Sequence, residues 1–87
     1  MRIVYKYALD QTHKIPHSAN LVHAGRDPQG DLCAWFDVDT SNSTETVSFQ
    51  VIGTGQEVPY GARHIITTND GPFMWHFYAV AGGTPHE

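Results

Sequence analysis

The stretch Phe73-Met74-Trp75-His76-Phe77-Tyr78-Ala79-Val80 is the richest apolar run in the chain, and it limits the fold more than any other segment. A turn signal, Asn69-Asp70-Gly71-Pro72, precedes it, and Gly82-Gly83 follows. A short run of aromatic and β-branched residues between such breakers predicts a strand rather than a helix. Side chains alternate across a strand, so Phe73, Trp75, Phe77 and Ala79 share one face, read as core. Met74, His76, Tyr78 and Val80 share the other. That second face is also largely apolar, which points to a partner.

The same two-residue rhythm recurs along the chain. Ile3, Tyr5 and Tyr7 alternate with Val4, Lys6 and Ala8 in a first strand. Thr12-His13-Lys14-Ile15 is a short extended piece stopped by Pro16, which lacks the N–H a ladder needs. Asn20 through Arg26 is the next strand. Asp27-Pro28-Gln29-Gly30 has aspartate, proline and glycine where a type I turn takes them, predicting a hairpin onto Asp31–Val38. There Leu32, Ala34, Phe36 and Val38 form an apolar face, while Cys33, Trp35 and Asp37 face away. Asp39 to Glu45 is a polar loop. Val47, Phe49 and Val51 alternate with polar residues, the signature of a sheet with one face buried. His64–Thr68 is a further strand. No segment carries a helical apolar stripe. The expectation is an all-β domain over residues 1–81, a compact antiparallel β-sandwich or partly open barrel of six to seven short strands, with residues 82–87 a flexible tail.

Size and charge narrow the function classes. A chain of 87 residues buries only about 60–65% of the surface its unfolded form exposes, so added support from a metal or from self-association is expected. The lone Cys33 offers no intrachain disulfide and suits a reducing cytoplasm. The formal net charge is −4, and the five basic residues are scattered. Duplex DNA and anionic membranes call for a basic patch, so neither is an expected partner. No apolar leader and no membrane-length run is visible.

Six histidines invite a metal reading. They lack the close ligand pairs of a structural zinc site, and His13 and His17 flank a proline that stops a helix. Scattered, hydrogen-bonded histidines are the expectation, with no metal and no cofactor. A site built from His64 and His76 is the competing arrangement and needs a third ligand. Cys33 lies mid-strand with nothing local to activate it, so it reads as a structural thiol. Asp37 and Asp39 face the same way, but an aspartate at a strand end more often caps the next loop. Gly53-Thr54-Gly55 lacks the following helix of a phosphate loop and reads as a bulge or tight corner, able at most to aim amides at a small anion. The outward apolar side chains Trp35, Tyr78, Met74, Ile52 and Ile65 are either a partner surface or covered within the domain. The candidate binding residues are Trp35, Asp37, Arg63, Met74, His76 and Tyr78, with Gly53, Thr54 and Gly55 as the anion site or corner.

Taken together, Val4-Tyr5-Lys6-Tyr7, Ile15-Pro16, Leu32-Cys33-Ala34-Trp35-Phe36-Asp37-Val38-Asp39, Phe49-Gln50-Val51-Ile52-Gly53-Thr54-Gly55 and Phe73-Met74-Trp75-His76-Phe77 resemble a family of small uncharacterised proteins encoded by bacteriophages and prophages. The resemblance spans about residues 4–78 and carries no catalytic residues. It implies a phage accessory protein in the bacterial host cytoplasm. The leading expectation is a non-enzymatic protein that binds and modulates a host or antiviral-defence protein. The alternatives are an oligomeric sponge for a nucleotide signal, with Arg26, Arg63 or the Gly53–Gly55 amides on phosphate, a small metal-dependent enzyme, and a minor virion component. Apolar residues on both strand faces lead to a homo-oligomer in each case.

Overall fold

A computed structural model describes residues 1–81; the expected C-terminal tail lies outside the described residues. Seven strands run in chain order: β1 (Arg2–Ala8), β2 (Thr12–Pro16), β3 (Asn20–Arg26), β4 (Leu32–Asp39), β5 (Thr44–Gly53), β6 (Arg63–Asp70) and β7 (Phe73–Ala81). They form two antiparallel sheets, ordered β1-β4-β3 and β2-β5-β7-β6. The sheets are not closed into a barrel, which agrees with the sandwich expectation. Among the described residues no helix is long and apolar enough to cross a membrane.

The inward residues expected of β4 and β5, and Phe77 and Ala79 of β7, lie in or against the core. Tyr7, Ala34, Phe36 and Val38 of the first sheet meet Ile15, Val47, Phe49, Phe77 and Ala79 of the second. Phe36 stacks on Phe49 with centroids 5.7 Å apart, and Tyr7 closes edge-on against Phe36 at 5.9 Å. Offset and edge-to-face pairs of this kind add to the burial of the rings themselves.

The two sides of the sandwich are joined differently. On one side the chain crosses between sheets at Leu9-Asp10-Gln11. The Leu9 N–H still donates to Leu32 O of the first sheet, while Gln11 O accepts from Phe49 N of the second. Asp10 makes the corner with φ +60°, a conformation aspartate tolerates better than most residues, and its Oδ1 accepts from Val51 N. On the other side a polar seam ties β3 to β6. Arg26 grips the Asp70 carboxylate through Nε and Nη2, and Thr68 Oγ1 donates to Ala24 O.

Asp27-Pro28-Gln29-Gly30 is the predicted turn, closed by Gly30 N–H on Asp27 O at 2.9 Å, with Gly30 at φ +90°. The Asp27 carboxylate is buried and takes hydrogen bonds from Lys6 Nζ, Gln29 N and Asp31 N. Lys6 foremost, then the Asp31 amide, pulls its pKa down to about 2. Lys6 and Asp27 fold over Cys33. That thiol faces away from the core yet is only 2% exposed, and burial pushes its pKa up.

Expectations at one position each of β6 and β7 need correcting. Phe73, expected on the core face, is 54% exposed at the first residue of β7, directly after the Gly71-Pro72 tip. Ile65 is expected on the outward face. A register shift between His64 and Ile66 against β7 bulges β6 there, and Ile65 and Ile66 both pack toward the core. A bulge of this kind re-aims the side chains beside it.

Candidate functional site

The β6–β7 hairpin builds an aromatic ledge at one end of the second sheet. Only Gly71 and Pro72 connect the strands, and Gly71 sits at φ +58°. Glycine meets that turn geometry at little steric cost. The register then places Asp70 opposite Phe73, and the Trp75 indole N–H donates to Asp70 Oδ2 at 2.9 Å. Arg26 first, then this indole, holds the Asp70 carboxyl below its usual range. Phe73 stacks on Trp75, centroids 5.4 Å apart and planes inclined by 21°. Met74 points to the other face and is 44% exposed. The ledge thus wraps around the strand's end and shows an aromatic ring on one side and a thioether on the other.

The Gly53-Thr54-Gly55 corner fits beneath this ledge. Gln56 N donates to Gly53 O, Gln56 Oε1 accepts from Gly53 N at 2.6 Å, and Gly55 takes φ +90°. The Gly53 amide is therefore already engaged within the turn. A Cβ on Gly53 would stand 3.2 Å from Gln56 Oε1 and 3.5 Å from the Trp75 ring, so glycine here permits the close approach. Gly53, Thr54, Gln56, Phe73, Met74 and Trp75 help to line a hollow of about 330 Å³.

Around the corner, on the outward face, His76 is held at both ring nitrogens. Nε2 lies 2.8 Å from Thr54 Oγ1 and Nδ1 lies 2.9 Å from Thr67 Oγ1. Thr67 also meets His64 Nε2 at 2.9 Å, and His64 packs edge-on against Tyr78 at 5.2 Å. A hydroxyl shared by two imidazoles fixes both rings. His76, Tyr78, Thr54, Gly55 and Val58 border a shallow hollow of about 210 Å³. Ile52, expected outward, shares this hollow and is buried.

The candidate residues thus fall into three places. Met74, His76, Tyr78, Gly53, Thr54 and Gly55 gather on and around the ledge. Trp35 and Asp37 lie on the outer face of the first sheet. Trp35 is half-buried against His23 at 5.3 Å. Asp37 is paired with Arg2, whose hydrogen bond lowers its pKa. Arg63 lies elsewhere, at the mouth of a cleft of about 320 Å³ between the sheets, with Glu45 and His64 beside it and Phe36, Val47 and Phe49 below.

Several other titratable groups among the described residues have structural partners. His13 Nε2 lies 2.7 Å from Ala8 O, and the ring packs on Tyr7. His17 faces Glu45 at 3.6 Å. Asp39 caps the loop after β4, accepting from Ser41 Oγ and Ser41 N and from the N-terminal amine. The serine hydroxyl foremost brings its pKa to about 2. Among the described residues no three His, Cys, Asp or Glu side chains converge to hold a metal.

Sequence reasoning missed Phe73 as a surface residue. The clue was its position directly after Gly71-Pro72, at the first residue of the strand.

Fold and surface together define a small antiparallel β-sandwich that displays an aromatic ledge. The chain belongs to a family described as a domain of unknown function, DUF7352, whose model matches residues 1–87. No curated protein and no solved structure matched the chain.

Proposed function

We propose that this protein is a non-enzymatic binding module that docks on another protein through the Phe73–Met74–Trp75 ledge. The observation that carries this reading is Phe73. It is more than half exposed, yet stacking on Trp75 holds it still, and the Asp70–Arg26 pair fixes Trp75 in turn. An immobilised aromatic loses little entropy on binding, and aromatic anchors of this kind dominate interface energetics. Met74 adds an adaptable thioether beside it. Phage origin, implied by the sequence resemblance, makes a host or antiviral-defence protein in the bacterial cytoplasm the partner class.

The test is a comparative capture from lysate of an infected host. The bait proteins are the unaltered chain, a Phe73→Ser/Met74→Ser variant and a Val22→Ser control on β3. A protein retained by the first and third but not by the second supports the ledge. Identical captures by all three, or no specific capture at all, overturn it.

The cleft favours a second reading, a sponge for a small anionic ligand with an apolar or aromatic body, nucleotides included. Arg2, Lys6 and Arg26 are bound to carboxylates, whereas Arg63 makes no ion pair among the described residues and stands at the cleft mouth. The volume sits at the lower bound of ligand sites, roughly 300 Å³. A melting temperature raised by one member of a nucleotide panel and insensitive to it after Arg63→Ala supports this reading. Unchanged melting across the panel removes it.

A further inference from the structure

The edge of β1 stands apart from the other sheet edges. β2 has five residues, carries Lys14 and ends on Pro16. β3 and β6 each contain a register shift, at Leu21/His23 and at His64/Ile66, and the Arg26–Asp70 seam ties one to the other. Short length, proline, lysine and bulges are the devices that keep an edge from pairing. β1 has no proline and no bulge, and its seven residues pair with β4 in unbroken register. Ile3, Val4 and Tyr5 are exposed along it.

The hydrogen bonds at its two ends reveal which backbone groups are spare. Leu9 N–H donates to Leu32 O, and Thr40 N–H donates to Met1 O. Continuing the β1–β4 register makes Leu9/Leu32 and Met1/Thr40 hydrogen-bonded pairs. Hydrogen-bonded pairs recur at every second residue of an antiparallel ladder, so the odd-numbered residues of β1 bond to β4. The even-numbered Arg2, Val4, Lys6 and Ala8 turn their N–H and C=O to the open edge. Ala8 confirms this parity, because its carbonyl meets the His13 ring rather than β4. Among the described residues the main-chain groups of Arg2, Val4 and Lys6 have no partner beyond the edge.

We infer that β1 pairs antiparallel with β1 of a second copy about a two-fold axis at Tyr5, fusing two three-stranded sheets into one of six strands. The sequence selects the register. Centring on Tyr5 sets Val4 opposite Lys6 of the other copy and Arg2 opposite Ala8, and joins the chains through about four backbone hydrogen bonds between Val4 and Lys6. Ile3 then lies opposite Tyr7 on the inner face, and Tyr5 meets itself. Centring on Val4 sets Arg2 opposite Lys6, a like-charge pairing that destabilises a sheet. Slipping by one residue reverses every side chain to the wrong face. Lys6 and Arg2 offer weak opposition at this edge, because Asp27 and Asp37 of their own chain hold both heads. The β1 edge lies on the side of the sandwich away from the β3–β6 seam, so this pairing stands whichever way the ledge experiment turns out.

The test uses the whole chain. Sedimentation of the unaltered protein gives twice the single-chain mass, and Val4→Pro, which removes only an outward N–H and adds no internal gap, gives the single-chain mass with an unchanged circular dichroism spectrum. Tyr5→Cys keeps the proposal testable if the proline variant fails to fold. A pair that does not exchange hydrogen bonds brings its Cα atoms to about 4.5 Å, within disulfide range, so mild oxidation links Tyr5→Cys chains into covalent dimers. Val4→Cys and the unaltered chain, whose Cys33 is buried, stay single. Single-chain mass for the unaltered protein at all concentrations, a dimer that survives in folded Val4→Pro, or faster linking at Val4 than at Tyr5 overturns the inference.

Discussion

Phe73 and Phe77 occupy the same strand and point the same way, so truncating each to alanine separates the roles of ledge and core. Phe77 is 1% exposed and touches both sheets' side chains. Its removal leaves a cavity and costs about 3–5 kcal/mol. A chain of 87 residues has roughly 4–13 kcal/mol of stability in all. Phe77→Ala therefore removes a large share of it, and at about 1 kcal/mol per molar urea the unfolding midpoint falls by roughly 3 M or more. Phe73→Ala forfeits chiefly the stack on Trp75, about 0.5–1.5 kcal/mol, and lowers the midpoint by roughly 1 M. Binding follows the opposite order. A phenylalanine offers roughly 200 Å², so 54% exposure leaves roughly 110 Å² for a partner. At about 25 cal/mol per Å² that is roughly 2.7 kcal/mol, or about 100-fold in Kd. The assay is urea unfolding by circular dichroism at one fixed protein concentration, followed by calorimetric titration of the captured partner. Equal midpoint shifts for the two variants, or a Phe73→Ala affinity within threefold of the unaltered chain, would refute the division of labour.

Two further outcomes follow from the buried turn. The Asp27 pKa is depressed to about 2, chiefly by Lys6. Its contribution is complete above the unfolded value near 4 and disappears as pH falls through about 2, because the unfolded chain binds the proton first. Between those limits the unaltered chain loses stability more steeply than Asp27→Asn in acid-titrated urea melts, and equal slopes would contradict the role of that carboxylate. Cys33, buried with a raised pKa, reacts with a thiol reagent on the order of 10³-fold more slowly in the native protein than in urea, where unfolding gates access; native labelling within tenfold of the denatured rate would show the thiol to be open.

The number of strands and the inner faces were legible because a half-buried strand must alternate, and Phe36, Val38, Phe49 and Phe77 lie where alternation puts them. The Asp27–Gly30 turn was legible because its residue types meet specific dihedral demands. Alternation, however, states which way a side chain points and not what stands opposite. Phe73 belongs to the inward-pointing set yet is exposed, and Cys33, Ser48 and Ile52 point outward yet are covered. Ser48 shares a hydroxyl hydrogen bond with Thr12, Cys33 lies under the Lys6–Asp27 pair, and Ile52 shares a hollow with Val58. The bulge that turns Ile65 inward left no glycine or proline to mark it. The gathering of Gly53–Gly55 with Met74, His76 and Tyr78 depends on β5 pairing with β7. That pairing order is a property of the whole chain and is absent from any local pattern.

Each sheet carries a single indole, Trp35 in β4 and Trp75 in β7. Trp35 sits against an imidazole and across from Lys6, while the Trp75 ring N–H points at a carboxylate. Their emission therefore has separate sources of quenching and spectral shift. Replacing either one by phenylalanine turns the other into an intrinsic optical probe, with Trp75 reporting on the hairpin tip and Trp35 on the strand beside the free edge, and no dye attached to either.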